Sequence, residues 1–537
     1  MATSTAPSVD LADAMVMTPP PMADYLVVAP LAIGFVFGAL CLMTRKNTTR
    51  QPFIAITGLV LMLAADIGLF WHVLQNGTVV MTMGRWLPPF GITFAADMLG
   101  AVFALIGGIV GLAGGVYALD DVNQTGRRYG FYPFLLLMMS GITAAFLTGD
   151  IFNLYVWFEV LLIGSFGLLV LGSEREQLDG ATKYALLNLL ATTLFLLAVA
   201  YLYGTVGSLN MADISRKAAS VRDTGPLFTI AALFLFAFAM KAAAFPVNFW
   251  LPASYHTPRI VVSGLFAGLL TKVGIYALLR IFLTLFDVER DMLAGAIAVI
   301  AAVTMVTGAM GALAQNDIRR QLGYLVISGI GMMLAGLALG SRTGLSGGVF
   351  YAAHSMVVMT ALYFLAGIMG ERMNGFALNK AGGLYSRMPW LAALALVLFL
   401  SVSGLPPFSG LWPKAYLVKA SLDVGAWWLA FAILLTGLLT TIAVGRTFAF
   451  SFWRERNDGE AETVSTKGAV SGAVVGSLVG LTLLTVAVGV YPEPVIRVTD
   501  RIAGELLAPT GYVDSVFPAD MTPAPGDGAA QEGETQQ

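Results

Sequence analysis

The sequence predicts an all-α integral membrane protein with about fourteen transmembrane helices. Charged residues make up 12% of the chain, against about 25% in ordinary soluble domains. Apolar residues make up 57%, and the mean hydropathy is +0.79. These apolar residues fall in runs of about 20, which is the length that crosses a bilayer. The composition therefore excludes a soluble enzyme and implies the lipid bilayer as an immediate partner.

The predicted spans follow the apolar runs along the chain. They are 25–43, 53–75, 94–118, 130–148, 150–171, 180–204, 226–251, 260–285, 292–314, 321–340, 345–369, 389–419, 425–452 and 468–491. Together they define a predicted transmembrane domain over 25–491.

The two ends of the chain carry no comparable apolar run. Residues 1–24 contain neither Lys nor Arg, so they lack the positive region of a cleavable signal peptide. We expect a disordered tail over 1–24, a first helix that acts as an uncleaved signal, and an extracytoplasmic tail over 492–537.

Orientation is predicted from Lys and Arg in the short loops. Loops after odd-numbered spans carry about fifteen, among them Arg45, Arg127 and Arg319. Loops after even-numbered spans, with the C-terminal tail, carry about eight. Because positive loops stay in the cytoplasm, both termini are predicted to lie outside.

Two spans combine prolines with a lysine, in the segments 241–252 and 404–414. Proline removes a backbone donor and clashes with the preceding turn, so each helix should break there. Broken helices in corresponding positions indicate a transport site built from an internal repeat. The sequence therefore predicts two pseudo-equivalent halves of about five spans each, over about 130–286 and 292–452, with broken seventh and twelfth helices.

Ionisable side chains lie inside or beside these apolar runs at Glu159, Lys241, Lys272 and Lys414. A charge at the bilayer centre costs roughly 2.5–3.5 kcal/mol on insertion scales, and such residues usually mark ion or proton pathways. We therefore expect a proton or cation path through the membrane.

Other function classes lack a signal in the chain. Cys41 is the single cysteine, which excludes an intramolecular disulfide and a cluster built on several thiolates. There is no phosphate-binding glycine loop, and no basic patch that would bind nucleic acid. We expect no cofactor and no catalytic residue, and the sequence does not locate a metal site. The energy for transport must then come from an ion gradient or a partner.

Two stretches carry a family resemblance. Residues 129–171 include Thr-Gly-Asp150 and Trp-Phe-Glu159, and residues 241–280 include Phe-Pro-Val-Asn-Phe-Trp-Leu-Pro and Leu-Leu-Thr-Lys272-Val-Gly-Ile-Tyr. Both resemble the antiporter-like subunits shared by Mrp-type multisubunit Na+/H+ antiporters and the membrane arm of NADH:quinone oxidoreductase. The resemblance covers roughly 25–491 and implies a fourteen-helix fold with two inverted repeats.

Three details resemble the Mrp D-type subunits within that family. They are the amino-acid sequence around Lys272, the spacing from His354 to Ala366-Gly367, and the closing segment Glu505 to Val516. The resemblance implies a hetero-oligomeric antiporter in the bacterial cytoplasmic membrane, with the other subunits as partners.

The resemblance also implies a chain of proton-carrying side chains at mid-membrane. The implied set is Glu159 on the fifth span, Lys183 near the start of the sixth, Lys241 on the seventh, Lys272 on the eighth, His354 on the eleventh and Lys414 on the twelfth. One position departs from the family pattern, because Met359 stands where many members have a lysine five residues after the histidine. The middle of the path would then depend more on water and His354.

A switch follows from elementary electrostatics. Burial favours the neutral form of a lysine, whereas a nearby carboxylate favours the charged form. If Glu159 pairs with Lys241, separating the two would favour proton release toward Lys272 and His354. The proton would then pass to Lys414, which would exchange with one side of the membrane.

Each candidate also has a structural interpretation. The lysines could anchor a helix at the membrane interface, and Glu159 could cap a helix. His354 and His256 could be packed, hydrogen-bonded histidines, and Lys183 could form an i,i+4 pair with Asp179. Asp66 and Asp97 lie outside the repeats, where they could contact a partner subunit or take part in transport.

Three functions stay open at this point. The first is an antiporter subunit that exchanges cytoplasmic Na+ for external H+. The second is a proton-pumping subunit of a redox complex whose partners handle the electrons. The third is an inactive scaffold that keeps the fold. The amino-acid sequence around Lys272 and in the tail favours the antiporter subunit over the redox-driven pump.

Overall fold

The fold is described from a computed structural model, which describes residues 15–16, 19–222, 225–455 and 469–517. Within these ranges the chain is mostly helical. The α-helices are α1 (Ala29–Met43), α2 (Gln51–Asn76), α3 (Met98–Asp121), α4 (Gln124–Arg128), α5 (Phe131–Leu147), α6 (Ile151–Leu169), α7 (Arg175–Val206), α8 (Met211–Val221), α9 (Leu227–Ala242), α10 (Trp250–Ser254), α11 (Ile260–Leu265), α12 (Thr271–Thr284), α13 (Asp287–Ala314), α14 (Ile318–Leu339), α15 (Arg342–Met373), α16 (Leu384–Arg387), α17 (Pro389–Ser403), α18 (Leu411–Asp423), α19 (Trp427–Phe448), α20 (Gly472–Val490), α21 (Glu493–Leu507) and α22 (Thr510–Val516).

Short elements complete the chain. Two strands, β1 (Val79–Thr82) and β2 (Thr93–Ala96), form an antiparallel hairpin with Val79 opposite Ala96 and Thr82 opposite Thr93. The 3₁₀ turns are Met22–Val27, Met83–Arg85 and Leu378–Lys380, and the π-helical turns are Phe266–Leu270 and Ala449–Trp453.

The predicted class of integral membrane protein is confirmed. Within the described ranges, 10 helices are long and apolar enough to cross a membrane, and four shorter apolar helices accompany them. The shorter four are Ala29–Met43, Phe131–Leu147, Leu227–Ala242 and Pro389–Ser403. Every predicted span contains one of these helices, although the number that crosses the bilayer stays a prediction.

Both predicted helix breaks are present. The seventh span consists of α9 and α10, and the twelfth consists of α17 and α18. Ala243 ends α9 in the left-handed region at φ 60°, and Gly404 ends α17 at φ 84°. The prolines that follow cannot continue a regular helix, which is why the chain restarts only at Trp250 and Leu411.

The eighth span contains a feature that hydropathy does not reveal. Five residues, Phe266–Leu270, form a π-helical turn between α11 and α12, so 260–284 runs as one helix with a wider middle turn. This helix is buried along its whole length, and α14 and α15 are nearly so. These three helices form the centre of the molecule, where membrane lipid does not reach.

The third span begins later than predicted. Residues 94–96 belong to β2, and the helix starts at Met98, because the Asp97 side chain accepts a hydrogen bond from Gly100 N at 2.9 Å and caps it. Apolar strand residues before a helix look like more helix in a hydropathy profile. The hairpin corrects the start of the third span, and the predicted all-α class is confirmed because the described ranges are otherwise helical.

The described parts of the two predicted tails contain short elements that contact the rest of the chain. Met15 pairs with Trp86, and residues 22–24 form the start of the turn Met22–Val27. At the other end, α21 and α22 pack on the domain, and Arg501 Nη1 donates to Leu74 O at 2.8 Å. Residues 1–14, 17–18 and 518–537 of the predicted tails lie outside the described residues.

Candidate functional site

Lys241 lies in the last turn of α9, next to the first helix break, and is 4% exposed. Its Nζ donates to Thr192 Oγ1 at 2.8 Å and lies 4.8 Å from the centre of the Phe158 ring. The Thr192 hydroxyl itself donates to Asn188 O at 2.8 Å. A single hydroxyl and an aromatic face therefore hold this ammonium in an apolar setting.

Glu159 follows Phe158 on α6 and is half-buried. Its Oε1 has no hydrogen-bond partner in the described part of the chain. The expected ion pair with Lys241 is not formed, and Lys241 donates to Thr192. The conformation is thus one in which the lysine and the carboxylate are neighbours but are separated.

Lys272 lies one residue into α12 and has no exposed surface. Its Nζ donates to Ala267 O at 2.5 Å. Ala267 belongs to the π-helical turn. The wider spacing of this turn frees backbone carbonyls that would accept a hydrogen bond in a regular α-helix. The turn therefore supplies a backbone acceptor to a lysine that has no acidic partner among the described residues.

His354 lies on α15, 5% exposed, and faces the second helix break. Its Nδ1 and Ser409 Oγ are 2.8 Å apart, and Ser409 Oγ is 3.1 Å from Ser401 Oγ. The imidazole therefore belongs to a short hydroxyl chain that joins α15 to the break. His354 is therefore hydrogen-bonded, as expected if it is a packed structural histidine. A role of His354 in proton transfer stays a prediction.

Lys414 lies in the first turn of α18, just after the second break, and is 9% exposed. Its Nζ donates to Val402 O at 2.9 Å and to Ser403 O at 2.7 Å. These carbonyls end α17 and have no intrahelical partner, because the helix stops at Gly404. The lysine thus caps one half-helix from the start of the next.

These residues follow one another across the fold. Ideal Cβ positions show the close approaches: a Cβ on Gly274 of α12 would lie 2.9 Å from Ala242 N, directly beside Lys241. A Cβ on Gly268 would lie 2.9 Å from Met356 O on α15. A Cβ on Gly410 would lie 3.2 Å from the His354 ring. Backbone packing therefore brings the helices of Lys241, Lys272, His354 and Lys414 into direct succession.

Met359 occupies the position that departs from the family pattern, and it is 2% exposed. The next residue, Thr360, donates to Gly264 O at 3.1 Å and so bonds α15 to the helix that carries Lys272. A lysine is replaced here by an apolar side chain and a hydroxyl contact. Polar connection between Lys272 and His354 must therefore be made by something other than a side chain at 359.

Lys183 lies apart from this buried series. Its side chain is 50% exposed, and its Nζ contacts Asp179 Oδ2 at 2.5 Å in an i,i+4 pair. It also lines a polar cavity of about 410 Å³ beside the first break, together with Glu176, His256 and Arg320. Lys183 thus forms the i,i+4 pair with Asp179 that its structural interpretation expects. A role of Lys183 in proton uptake stays a prediction.

His256 has the hydrogen-bonded setting expected of a structural histidine. Its Nδ1 is 2.8 Å from Pro252 O, and its Nε2 is 3.1 Å from Arg320 Nη2. Burial lowers the pKa of His256, and the nearby Arg320 guanidinium lowers it further. The neutral ring is thus favoured.

Asp97 and Asp66 both lie inside the chain rather than on its surface, at 3% and 0% exposure. Asp97 Oδ1 accepts a hydrogen bond from Arg280 Nη2 at 2.5 Å. Contact of either side chain with a partner subunit is therefore excluded in this conformation. Arg280 itself, eight residues after Lys272, is a buried charge that the sequence analysis did not single out.

The sequence analysis also missed the neutral groups around the path. Thr192, Ser401 and Ser409 are buried hydroxyls that contact either Lys241 or the His354 chain. Hydroxyl residues are common in apolar spans, where they usually bond to their own helix. Only a position near a predicted lysine could have singled them out, and that position depends on tertiary packing.

Taken together, the site holds three lysines and a histidine in the membrane region without acid partners. Within the described ranges, no ion pair within 4.0 Å includes Lys241, Lys272 or Lys414, and all three donate to neutral oxygens. Such contacts hold an ammonium group in place while stabilising its charge less than a carboxylate would. The role of these groups in proton transfer stays a prediction.

Comparison with known proteins agrees with this geometry. Residues 148–440 match the family described as NADH:quinone oxidoreductase/Mrp antiporter, TM. The chain is 38% identical over 493 residues to the D subunit of the Na(+)/H(+) antiporter of Alkalihalophilus pseudofirmus, covering 92% of this chain and 99% of the relative. It is 33% identical over 492 residues to the D subunit of the Bacillus subtilis Na(+)/H(+) antiporter, with 91% and 99% coverage.

Solved structures give the same result. A chain of the Mrp complex from Dietzia sp. DQ12-45-1b superposes with a TM-score of 0.84 at 28% identity, covering 93% of this chain and 100% of that one. A chain of respiratory complex I from Thermus thermophilus superposes with a TM-score of 0.76 at 25% identity, with 91% and 100% coverage. The chain therefore belongs to the NADH:quinone oxidoreductase/Mrp antiporter family, in which it is similar to D subunits of Na(+)/H(+) antiporters.

Proposed function

We propose that this chain is the D subunit of a multisubunit cation/proton antiporter in the bacterial cytoplasmic membrane. It moves protons through Glu159, Lys241, Lys272, His354 and Lys414 in exchange for Na+, and it works with the other members of the complex. The observation that carries this proposal is the series of three buried lysines that form no ion pair in the described part of the chain. A structural ion-pair network would have paired them.

The contacts suggest how a proton would move. Lys241 bonds to Thr192 while Glu159 Oε1 stands without a partner, so a small rotation could exchange one contact for the other. Pairing with Glu159 would favour the charged lysine, and separation would favour release of its proton. The released proton would pass along the succession of helices to Lys272 and then to His354.

The path would open to one side of the membrane at Lys414. A cavity of about 700 Å³ lies between α18 and α19; its wall is mostly apolar and also includes Lys414, Lys419 and Asp423. Lys419 and Asp423 form an exposed pair at the end of α18, with 2.6 Å between Nζ and Oδ2. Water in this cavity would join the buried lysine to the exposed end of the helix, which the loop charges predict to be outside.

A test separates Lys414 from its neighbour on the same helix. Inverted vesicles from cells that lack Na+/H+ antiporters carry the whole complex, and dequenching of a pH-sensitive dye after Na+ addition reports antiport. Lys414→Arg keeps a charged donor for the carbonyls of Val402 and Ser403, but an arginine does not release its proton in proteins. We expect this variant to lose most of the antiport activity.

Lys419→Arg is the matched control, since Lys419 is exposed and its pair with Asp423 tolerates the change. We expect it to retain activity within about twofold, as for other exposed pairs. Full antiport in the assembled Lys414→Arg complex would exclude Lys414 from the path.

A second function has specific support. The family description includes NADH:quinone oxidoreductase, and the fold also superposes on a chain of an archaeal membrane-bound sulfane sulfur reductase with a TM-score of 0.84 at 25% identity. The alternative is therefore a proton pump that a redox partner drives. The same vesicles decide between the two, because an assembled complex that gives no Na+ response would favour the redox-driven pump.

A further inference from the structure

A buried carboxyl group outside the proposed path stands without any partner. Asp66 lies near the middle of α2 and has no exposed surface. Neither Oδ1 nor Oδ2 has a hydrogen-bond donor within reach in the described part of the chain. The path residues do not include it, and α2 precedes both predicted repeats. Its chemical state therefore needs an explanation of its own.

No cation on the helices around α2 is placed to pair with Asp66. The elements packed on α2 are α1, α3, α5 and the turn Met22–Val27. α1 and α5 contain no charged residue, and the charges of α3 are Asp120 and Asp121 at its far end. The turn Met22–Val27 adds Asp24. All charged residues on the elements packed against α2 are thus acidic, so none can neutralise the Asp66 carboxylate.

The basic groups near α2 lie at its ends. Arg50 precedes the helix, about 24 Å along its axis from Asp66 at the usual rise. His72 lies about 9 Å farther along the axis, 4.0 Å from the Asp24 carboxylate of the turn Met22–Val27. Arg501 donates to the carbonyls of Val73 and Leu74. His72 and Arg501 have contacts of their own, Arg50 lies too far along the axis, and none of the three reaches Asp66.

The backbone of α3 fits closely against the carboxyl group. A Cβ on Gly108 would stand 2.6 Å from Asp66 Oδ2, so only glycine leaves room for the side chain here. The same face of α3 receives Leu59 at Gly115, where a Cβ would lie 2.4 Å from its Cδ1. The interface between α2 and α3 is therefore closed around Asp66 and leaves little space for water or a hydrated ion.

The protonation state follows from these contacts. An ionised carboxylate at the bilayer centre costs roughly 2.5–3.5 kcal/mol on insertion scales even before its missing hydrogen bonds are counted. A protonated carboxyl group is neutral and carries an O–H that can donate to a backbone carbonyl. We propose that Asp66 is a proton-binding site, a carboxylic acid that holds its proton in the closed interface between α2 and α3.

Infrared spectroscopy tests this proposal on the purified complex in lipid. The carbonyl-stretch band of a protonated carboxyl group should be present at neutral pH in the wild type and absent from Asp66→Asn. Because Asp66 is closed off from water, we expect its band to shift slowly after transfer to D2O. Identical carboxyl bands in the two proteins would show that Asp66 is ionised and would overturn the proposal.

Thermal unfolding of the same complexes gives an independent measurement. Asparagine has the shape of a protonated aspartic acid, so Asp66→Asn should leave the melting temperature almost unchanged. Asp97→Asn is the matched control, because this substitution removes the charge that Arg280 contacts at 2.5 Å. We expect a clear decrease in melting temperature for that variant. A decrease of the same size for Asp66→Asn, or failure of that variant to assemble, would also overturn the proposal.

Discussion

Thr192 shows how one neutral side chain can determine the setting of a charged one. Its hydroxyl hydrogen is used by Asn188 O, at 2.8 Å, so its oxygen faces Lys241 only as an acceptor. The lysine is therefore the donor in this contact. A hydrogen bond to a charged group is worth about 1.5–3 kcal/mol, more than a neutral one. The position of the Lys241 ammonium depends on that bond.

The dependence of Lys241 on the Thr192 hydroxyl gives a prediction for substitutions at Thr192 and at its neighbour Thr193. Thr192→Val keeps the side-chain shape but removes the hydrogen-bond acceptor of Lys241. If the free energy that positions Lys241 falls by at least about 1.4 kcal/mol, the rate falls at least about tenfold. We expect antiport in inverted vesicles to fall roughly tenfold on this scale. Thr193→Val is the control, since Thr193 is exposed and its hydroxyl bonds only to Leu189 O in its own helix. Equal activities of the two variants would contradict the role of Thr192.

Sequence and structure contributed different parts of the residue-level description. The lysines at 241, 272 and 414 are visible in the sequence because a charge in an apolar run is unusual. Their acceptors are not visible, because hydroxyls and backbone carbonyls are present in every span. The expected partner of Lys241, Glu159, is nearby but not bonded, a distinction that depends on a rotation of the side chain.

At the level of elements, the helix breaks place charged groups beside free carbonyls. Lys414 reaches back to Val402 O and Ser403 O because α17 ends at Gly404 and α18 restarts at Leu411. Freed carbonyls within a membrane are tolerated only where protein or water satisfies them. The break and the lysine therefore depend on each other, since the ammonium satisfies the carbonyls that the break exposes.

Gly404 lies at the contact between this break and Lys414, which leads to a second prediction. It has φ 84°, and a Cβ there would stand 2.6 Å from Lys414 Cδ. Gly404→Ala should therefore displace the lysine and abolish most antiport. Gly425→Ala is the control, because Gly425 has φ 73° but nothing within 4 Å of its Cβ position.

Both alanine variants carry the backbone cost of a left-handed residue, about 1–2 kcal/mol. We expect only the Gly404 variant to lose antiport when both are measured at equal assembly. Comparable antiport in the two would show that the contact with Lys414 is not required.

The π-helical turn is the element that sequence reasoning had no means to predict. Phe266–Leu270 has the composition of an ordinary apolar helix. The turn packs closely on α15, since a Cβ on Gly268 would lie 2.1 Å from Thr360 Oγ1. The acceptor of Lys272, Ala267 O, is a product of that packing.

At the level of the whole molecule, one buried ion pair connects parts that are distant in sequence. Arg280 Nη2 donates to Asp97 Oδ1 at 2.5 Å and to the Tyr276 hydroxyl at 3.2 Å. Tyr276 in turn donates to Phe146 O at 2.5 Å, and the Tyr512 ring lies 5.0 Å from the guanidinium. The start of α3, the helix of Lys272, the end of α5 and α22 meet at this point.

The third prediction concerns the stability of this junction. Arg280→Ala leaves the Asp97 charge buried and unpaired, which typically costs about 3–5 kcal/mol. We expect a large decrease in the melting temperature of the assembled complex. The exposed pair of Lys419 and Asp423 serves for comparison, and Asp423→Asn should cost at most about 1 kcal/mol. Similar melting temperatures for the two variants would mean that the Arg280 network contributes little to stability.

The sequence by itself determined the membrane class, the positions of the apolar spans, the two helix breaks and the buried lysines. Each depends on a local property: apolar runs of bilayer length, prolines that end helices, and charges that are costly in lipid. These properties act wherever the residues lie, so the linear pattern is sufficient to predict them.

Only the tertiary structure decided which groups meet. It placed Thr192 against Lys241, Ser409 against His354 and Arg280 against Asp97, and it left Asp66 without a partner among the described residues. It also turned residues 79–96 into a hairpin and packed α21 and α22 on the domain. These outcomes depend on distances between helices that are far apart in sequence, and such distances follow from the packing of side chains in three dimensions rather than from any local pattern.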